Sequence, residues 1–288
     1  MSGAPLIAAY KGPAGPDVLC LAKAWSQGSG RPLHVVTIYP GRFPIGMGRT
    51  DAEWVSYNRQ EAEELLDQAR TFLSAEVPAE FRPVAAQSAS GGLHQVMEEG
   101  GPGCTVIVGS RKTRGVRRTA LGSTAGRLLQ GAPGPVALVP WDYDADPADP
   151  IRRVGVAFVD TPDGHSALTA GAAIATELQA SLHVITVVPD TRVTPSLGEP
   201  HRYADGERAA FAQAIEQTLG DLDPSLRAES RVLKGPVVDA LADVRPEDID
   251  VLVCGSRGYG PARSVLLGGV SSRLLRHARV PVVVVPRG

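Results

Sequence analysis

The chain has 288 residues, enough for about two domains of ordinary size that each bury a core. A hydrophobic fraction of 43% and a charged fraction of 21% are typical of a globular protein that folds in water. The formal net charge of −2 excludes a broad electrostatic attraction to nucleic acid or to anionic membranes, and no apolar run is long enough to span a bilayer.

Cysteine usage indicates a reducing compartment. Cys20, Cys104 and Cys254 are widely spaced and odd in number, which fits neither a disulfide framework nor a zinc site. The first residues lack a basic start followed by a long apolar core, so we expect no signal peptide. We therefore expect buried thiols, no metal site and a cytoplasmic protein.

The first half alternates β-branched runs with stretches of helical periodicity. Strands are predicted at residues 6–10, 33–39 and 82–87. Helices are predicted from residue 17, over 56–73 and over 93–99. Residues 40–55 are rich in proline and glycine and are predicted to form a surface loop.

A unit of strand, loop, helix and strand at residues 106–139 closes this half. Its loop, SRKTRGVRR, carries five basic side chains: Arg111, Lys112, Arg114, Arg117 and Arg118. This charge run predicts either a clamp for an anion or a solvated basic face.

The second half repeats the order after an acidic, proline-bearing linker at residues 142–150. Its predicted strands are residues 154–159, 182–188 and 227–233. Its predicted helices are residues 166–179, 205–219 and 236–244. A second unit of strand, glycine loop, helix and strand follows at residues 251–285.

The two closing units are copies of one another. A single separation of 146 positions relates Gly109 to Gly255, Gly122 to Gly268, Leu128 to Leu274 and Val136 to Val282. Four matches at one separation indicate a tandem duplication. We therefore predict one domain at residues 1–141 and a second at residues 151–288.

Alternating strands and helices predict an α/β fold in which each domain is a Rossmann-like, doubly wound parallel sheet of five strands. A ligand crevice is expected where the strand order reverses, between strands one and four. Each glycine loop follows strand four, so the loop and the end of strand one should share that crevice. The final strands, residues 136–139 and 282–285, would form exposed apolar edges, and we predict that they pair with each other.

The glycine spacing of the second unit resembles that of the universal stress protein family, in its tandem, UspA-type form. Nucleotide-binding members carry a glycine, two residues, a second glycine, nine residues, and a glycine followed by Ser or Thr. Gly255, Gly258 and Gly268 match the three glycines, whereas Gly269 stands where the family has Ser or Thr. Glycines at these positions also suit tight turns and close helix packing, which need no ligand.

The resemblance implies a nucleotide site in each domain. In the second domain the implied contacts are Gly255, Ser256, Arg257, Gly258, Gly268, Gly269, Val270, Ser271 and Asp160. In the first domain, where Lys112 replaces the middle glycine, they are Gly109, Ser110, Arg111, Gly122, Ser123 and Thr124.

In ATP-binding relatives an aspartate at the end of strand one contacts the nucleoside. Lys11 takes that place in the first domain and cannot accept a hydrogen bond from a ribose hydroxyl or a base amine. Val159 takes it in the second domain, with Asp160 one residue later, where strand alternation points the carboxylate elsewhere unless the loop bulges. We expect the first site to be the degenerate one.

The resemblance implies a regulatory stress-response protein that binds ATP or another adenine nucleotide, chiefly in its second domain, with Mg²⁺ only where ATP is bound. It also implies association between chains as a homodimer. The alternative is a scaffold of the same fold that binds no nucleotide and acts through protein contacts. A slow ATPase is the weakest alternative, because the sequence has no phosphate-loop lysine, no hydrolase elbow and no catalytic constellation.

Overall fold

The computed structural model describes residues 3–12, 16–41, 52–74, 77–112, 119–141, 143, 146, 149–188, 213, 215–217, 219–220, 222–256 and 269–286. The first half contains β1 (Leu6–Ala9), α1 (Pro16–Ser29), β2 (Leu33–Pro40), α2 (Ala52–Leu73), β3 (Ala79–Ala86), α3 (Ala89–Gly100), β4 (Thr105–Gly109), β5 (Arg111–Lys112), β6 (Thr119–Ala120), α4 (Ser123–Leu128) and β7 (Val136–Val139). The second half contains β8 (Arg153–Ala157), α5 (Pro162–Leu178), β9 (Ser181–Val188), β10 (Ala228–Lys234), α6 (Val237–Ala242), β11 (Val251–Gly255), α7 (Gly269–His277) and β12 (Val282–Val285).

Ten strands form one continuous sheet in the order β10-β9-β8-β11-β12-β7-β4-β1-β2-β3. Within each half the strands are parallel and the first lies between the second and the fourth. This is the predicted doubly wound order, and it is confirmed in both halves. The order reverses between β1 and β4 and between β8 and β11, so the carboxyl ends of those strands border the two crevices.

The two halves join through their final strands. β7 and β12 pair antiparallel, with Ala137 opposite Val283, Leu138 opposite Val282 and Val136 opposite Val284. Every residue of both strands is buried. The predicted pairing is therefore confirmed, and it removes two apolar edges at once. Because Ala137 and Val283 are equivalent positions of the duplication, the pairing is symmetric about them.

The outer edges of the sheet are polar instead of apolar. The edge strand β3 contains Pro83, which cannot donate to a ladder, together with charged side chains, and β10 carries Glu229, Arg231 and Lys234. Charge and proline at an edge discourage pairing with another chain.

A hydrophobic core covers each face of the sheet and runs through both halves. Helices α1, α2 and α5 pack on one face, and α3, α4, α6 and α7 on the other. Helix α1 of the first half contacts α5 of the second. Across that contact Arg31 lies 3.8 Å from Glu177. The guanidinium of Arg31 also donates to the carbonyls of Ala4 and Gly103 at 2.6 and 2.8 Å, which ties the amino-terminal segment to the sheet.

The structure corrects several predicted boundaries. Helix α2 begins at Ala52 instead of residue 56, and β3 begins at Ala79 instead of residue 82. Helix α5 begins at Pro162 instead of residue 166, because Thr161 caps it by accepting a hydrogen bond from the Gly164 nitrogen at 3.2 Å. The β5–β6 hairpin was not predicted, and it occupies part of the basic loop.

One predicted helix lies largely outside the described residues. The predicted helix at residues 205–219 is described only at its end, where residues 213, 215–217 and 219–220 are helical. The domain limits at residues 141 and 151 stay predictions. Within the residues that the structure describes, no helix combines the length and the apolar character needed to cross a membrane.

Candidate functional site

Each half places a buried serine directly after its fourth strand. The main-chain nitrogens of Ser110 and Ser256 donate to the carbonyls of Val139 and Val285 at 2.9 and 3.0 Å, the same contact in each half. The two side chains are only 3% and 1% exposed. Within the described part of the chain, neither hydroxyl has a hydrogen-bond partner. A buried hydroxyl without a partner carries a desolvation cost, which an oxygen of a ligand would offset.

The ends of the first strands are also built alike. The hydroxyl of Thr37 donates to the carbonyl of Tyr10, and that of Thr186 donates to the carbonyl of Phe158, both at 3.1 Å. Tyr10 and Phe158 are thus equivalent positions. The residue that follows each of them is the position at which the sequence resemblance implies an aspartate.

Different side chains occupy this equivalent place. In the first half it is Lys11, which lines a cavity of about 300 Å³ at the carboxyl ends of β2 and β3 and against α2. In the second half it is Val159, whose side chain is 42% exposed. The ammonium group of Lys11 can only donate hydrogen bonds, and the side chain of Val159 can neither donate nor accept them. Neither side chain can therefore accept a hydrogen bond from a nucleoside.

Gly255, the last residue of β11, packs against the first turn of α5. A Cβ at this position would lie 2.5 Å from the carbonyl oxygen of Asp163 and 3.0 Å from its carbonyl carbon. The absence of a side chain therefore permits close helix packing at the crevice. This contact explains the glycine without a ligand.

Helix α7 begins at Gly269. Among the described residues, no atom lies within 4 Å of the position that a Cβ of Gly269 would take. Val270 is half-buried, and the buried Ser271 donates its hydroxyl to the carbonyl of Gly255 at 3.2 Å. The hydrogen bond from the Ser271 hydroxyl thus joins the start of α7 to the end of β11. The neighbouring thiol of Cys254 has a pKa raised to about 12 by burial.

The corresponding helix of the first half is shorter. Gly122 precedes α4 with φ of −61° and ψ of 154°, an extended conformation open to any residue, and no side chain caps the helix there. Ser123 is exposed and Thr124 is half-buried at the helix start. The six residues of α4 contrast with the nine of α7, so α7 has the longer run of aligned peptide dipoles.

Asp160 lies on the loop between β8 and α5, where its carboxylate contacts His165. The distance from Oδ1 to Nε2 is 2.9 Å. The imidazole also packs edge-on against the ring of Phe158, with 5.3 Å between centroids and an interplanar angle of 87°. Sequence reasoning missed His165, since a contact across a helix cap depends on the loop geometry.

The remaining predicted residues are only partly placed. Gly109 ends β4, and Arg111 lies in β5, whose hairpin partner β6 contacts α7 of the second half. Arg257, Gly258 and Gly268 lie outside the described residues. In the described ranges, no group of three or more His, Cys, Asp or Glu side chains could hold a metal ion.

Comparison with known proteins identifies the repeated unit. The sequence model of the universal stress protein family matches residues 9–140 and again residues 150–286. Universal stress proteins of Mycobacterium tuberculosis and Mycobacterium bovis are each 28% identical to the chain over 290 residues, which cover 96% of this chain and 97% of each relative.

Solved structures share the two-domain fold. The crystal structure of a universal stress protein from Archaeoglobus fulgidus superposes with a TM-score of 0.74 at 20% identity and covers 100% of both chains. A putative universal stress protein from Pseudomonas aeruginosa gives a TM-score of 0.61 at 18% identity and covers 98% of this chain and 92% of that chain. At these identities the likeness concerns the fold.

Proposed function

We propose that this chain, which belongs to the universal stress protein family and carries one family domain in each half, binds ATP or a related adenine nucleotide in its second half. The nucleotide would lie in the crevice between β8 and β11, and its binding would serve a regulatory role in the stress response. Mg²⁺ would enter only with ATP, held through the phosphate oxygens.

The observation that carries this proposal is the buried Ser256 hydroxyl, which has no partner among the described residues. It lies directly after β11, on which α7 is held by the bond from Ser271 to Gly255. Among the described residues, no atom lies within 4 Å of the Cβ position of Gly269, so a phosphate near this helix start would meet no described side chain there. Backbone donors and the helix dipole bind phosphate there without a side-chain hydroxyl.

The second half is favoured over the first for two reasons. Helix α7 has nine residues and α4 has six, so the dipole at the mouth of α7 is the stronger. The sequence of the second half also keeps Gly258, whereas Lys112 occupies the corresponding position in the first. A side chain in that part of the loop hinders close approach of phosphate to the backbone.

Isothermal titration with ATP and Mg²⁺ tests the proposal, with the equivalent serines as matched variants. We expect Ser256→Ala to weaken binding by about fivefold, since one hydrogen bond is lost. Ser110→Ala makes the same change at the equivalent buried position, and we expect it to leave the affinity unchanged. Equal losses would place nucleotide in both halves, and absence of binding by the wild-type chain would contradict the proposal.

A second candidate function is a scaffold without nucleotide. The close packing of Gly255 against Asp163 favours it, because this glycine has a structural reason to be there. In that case the wild-type chain would bind no adenine nucleotide, and no small molecule would be released when freshly purified protein is denatured and examined by mass spectrometry.

A further inference from the structure

We propose that the first half binds a free amino acid with an apolar side chain, in the cavity beside Lys11, and that this ligand is distinct from the nucleotide of the second half. The cavity has a volume of about 300 Å³ and lies where β2 and β3 end, against one face of α2. Sites for small molecules have volumes from about 300 Å³ upward, so this size favours a ligand smaller than a nucleotide.

Two side chains of opposite charge line the cavity. Lys11 belongs to the segment that follows β1, and Glu61 lies on α2. Both residues are exposed, and no salt bridge joins either of them to another residue that the structure describes. An unpaired ammonium favours an anion and an unpaired carboxylate favours a cation, so the cavity suits a ligand that carries both charges.

Helix α2 offers hydrogen-bond acceptors to the positive group of such a ligand. Residues 58, 61, 62 and 65 all line the cavity, which is the spacing of one helix face. The side-chain amide nitrogen of Asn58 donates to the carbonyl of Trp54 at 2.7 Å, so the amide oxygen of Asn58 is left to accept. This oxygen and the Glu61 carboxylate lie one turn apart, and both can accept from a ligand ammonium group.

The strand ends offer donors to the negative group. Lys11 can only donate, and the side-chain amide of Gln87, an exposed residue just after β3, can donate as well. A carboxylate that accepts from an ammonium group makes a charge-assisted hydrogen bond, which is stronger than a neutral one. The equivalent of Lys11 in the second half is the uncharged Val159, so we assign this ligand to the first half alone.

The apolar part of the lining indicates the kind of side chain that the ligand carries. Ile38, Ala62 and Leu65 border the cavity, and Ile38 and Leu65 also pack against the hydrophobic cores of the two sheet faces. An apolar side chain gains from leaving water at such a surface, whereas a charged one would lose its hydration there. The expected ligands are therefore amino acids such as valine and leucine.

The test is isothermal titration of the full chain with L-alanine, L-valine and L-leucine, and with L-leucine methyl ester and N-acetyl-L-leucine. We expect saturable binding of L-valine or L-leucine. The ester lacks the carboxylate and the acetylated form lacks the ammonium group. Each should bind at least about tenfold more weakly than L-leucine, because one charge-assisted hydrogen bond is lost.

Two variants assign the charged groups to their partners. Lys11→Met should weaken amino-acid binding at least about tenfold and leave the affinity for the methyl ester unchanged. Glu61→Gln should weaken amino-acid binding as well, and it should leave the affinity for N-acetyl-L-leucine unchanged. A general disturbance of the fold would not select one analogue in each variant. Thermal unfolding verifies that both variants keep the stability of the wild type.

Glu64→Gln is the matched control. Glu64 is another exposed glutamate of α2, where it accepts a hydrogen bond from Gln60 at 3.1 Å, and it does not line the cavity. We expect amino-acid binding to be unchanged in this variant. The affinity for ATP should be unchanged in Lys11→Met, because the nucleotide is assigned to the second half.

The proposal fails if none of the three amino acids binds, or if the ester and the acetylated form bind as well as L-leucine. Unchanged amino-acid affinity in Lys11→Met or in Glu61→Gln would place the ligand elsewhere. If ATP displaces the amino acid and Lys11→Met alters the affinity for ATP, the cavity holds nucleotide instead. Absence of ATP binding would contradict the proposed function of the second half and leave the amino-acid titrations as a separate result.

Discussion

The two crevices of this protein share a backbone and differ in side chains. Ser110 and Ser256 occupy equivalent buried positions, and Thr37 and Thr186 make the same bond at the end of the first strand. At the residue that follows the first strand the halves differ, because Lys11 of the first half is equivalent to Val159 of the second. The buried serine hydroxyls favour a ligand oxygen in both halves, so the choice of the second half must come from the positions that differ.

The starts of α4 and α7, where phosphate would bind, also differ between the two halves. Ser123 corresponds to Gly269, and Ala125, which is buried, corresponds to Ser271, which bonds to the end of β11. The second half thus has a glycine where the first has a serine hydroxyl, and two residues later it has a serine whose hydroxyl bonds to β11. Substitutions that exchange residues between the halves, or that change one half alone, can test whether this difference affects stability or ATP binding.

The largest effect is expected from Gly255→Ala. The added methyl group would lie 2.5 Å from a backbone oxygen of α5, so the helix start must shift, and we expect a loss of about 3 kcal/mol in the free energy of unfolding. Gly269→Ala is the control, since no described atom lies within 4 Å of its Cβ position, and its stability should change by less than about 0.5 kcal/mol. Denaturant unfolding measures both, and a Gly255→Ala loss no larger than that of the control would contradict the packing role.

The next effect is expected from Gly268→Val. Gly268 directly precedes α7 in the sequence, so we expect a valine side chain there to hinder phosphate binding and ATP affinity to fall by at least about tenfold. Gly122→Val makes the equivalent change in the first half, where φ of −61° accepts any side chain, and should leave ATP affinity unchanged. Unchanged affinity in Gly268→Val would mean that the loop is not the binding surface.

Cys254 offers a comparison that depends on pH. Burial raises its pKa to about 12, so the native thiol stays protonated while the unfolded chain releases the proton above about pH 9. The stability that this group contributes is therefore present below pH 9 and is lost as the pH rises toward 12. Cys254→Val copies Val108 of the first half and removes the thiol.

Between about pH 8 and pH 10, the free energy of unfolding should decrease in both proteins. We expect the decrease in Cys254→Val to be about 1 kcal/mol smaller than the decrease in the wild type. Denaturant unfolding under reducing conditions at both pH values measures the difference. Cys104, with a pKa raised to about 11 by burial, is common to both proteins and cancels in the comparison. Parallel pH dependence of the two proteins would show that the Cys254 thiol does not contribute.

The smallest effect is expected from Gly269→Ser, which introduces the hydroxyl that Ser123 carries at the equivalent position of the first half. The site is open, so the stability should not change, and ATP should bind about threefold more tightly. Ser123→Gly removes the hydroxyl from the first half and should leave the titration unaltered. Weaker binding by Gly269→Ser would indicate that the bare backbone is what phosphate needs here.

The sequence was informative where burial dictates the pattern. The apolar runs of β4, β7, β11 and β12 predicted buried strands, the alternation of strands with helices predicted a doubly wound sheet, and the edge argument predicted that β7 pairs with β12. Boundaries were harder where polar or proline-bearing residues enter an element. Pro83 lies inside β3, which a strand tolerates only at an edge, and the early start of α5 depends on the cap at Thr161.

The candidate site was less predictable than the fold. The glycine spacing indicated the crevice, yet Gly255 proves to pack against a backbone, a contact that links residues far apart in sequence. The pairing of His165 with Asp160 likewise depends on the path of one loop. Such contacts have no period along the chain, so no pattern reveals them.

The antiparallel pairing of β7 with β12 has a consequence for how this protein changes over time. In a dimer of identical chains, every substitution appears in both subunits. A binding residue that is lost from one subunit is therefore lost from the other as well. Here the symmetric junction lies within one chain, with Ala137 opposite Val283, so a substitution in one half leaves the equivalent position of the other half unchanged. A lysine at position 11 and a valine at position 159 are the kind of divergence that such independence allows.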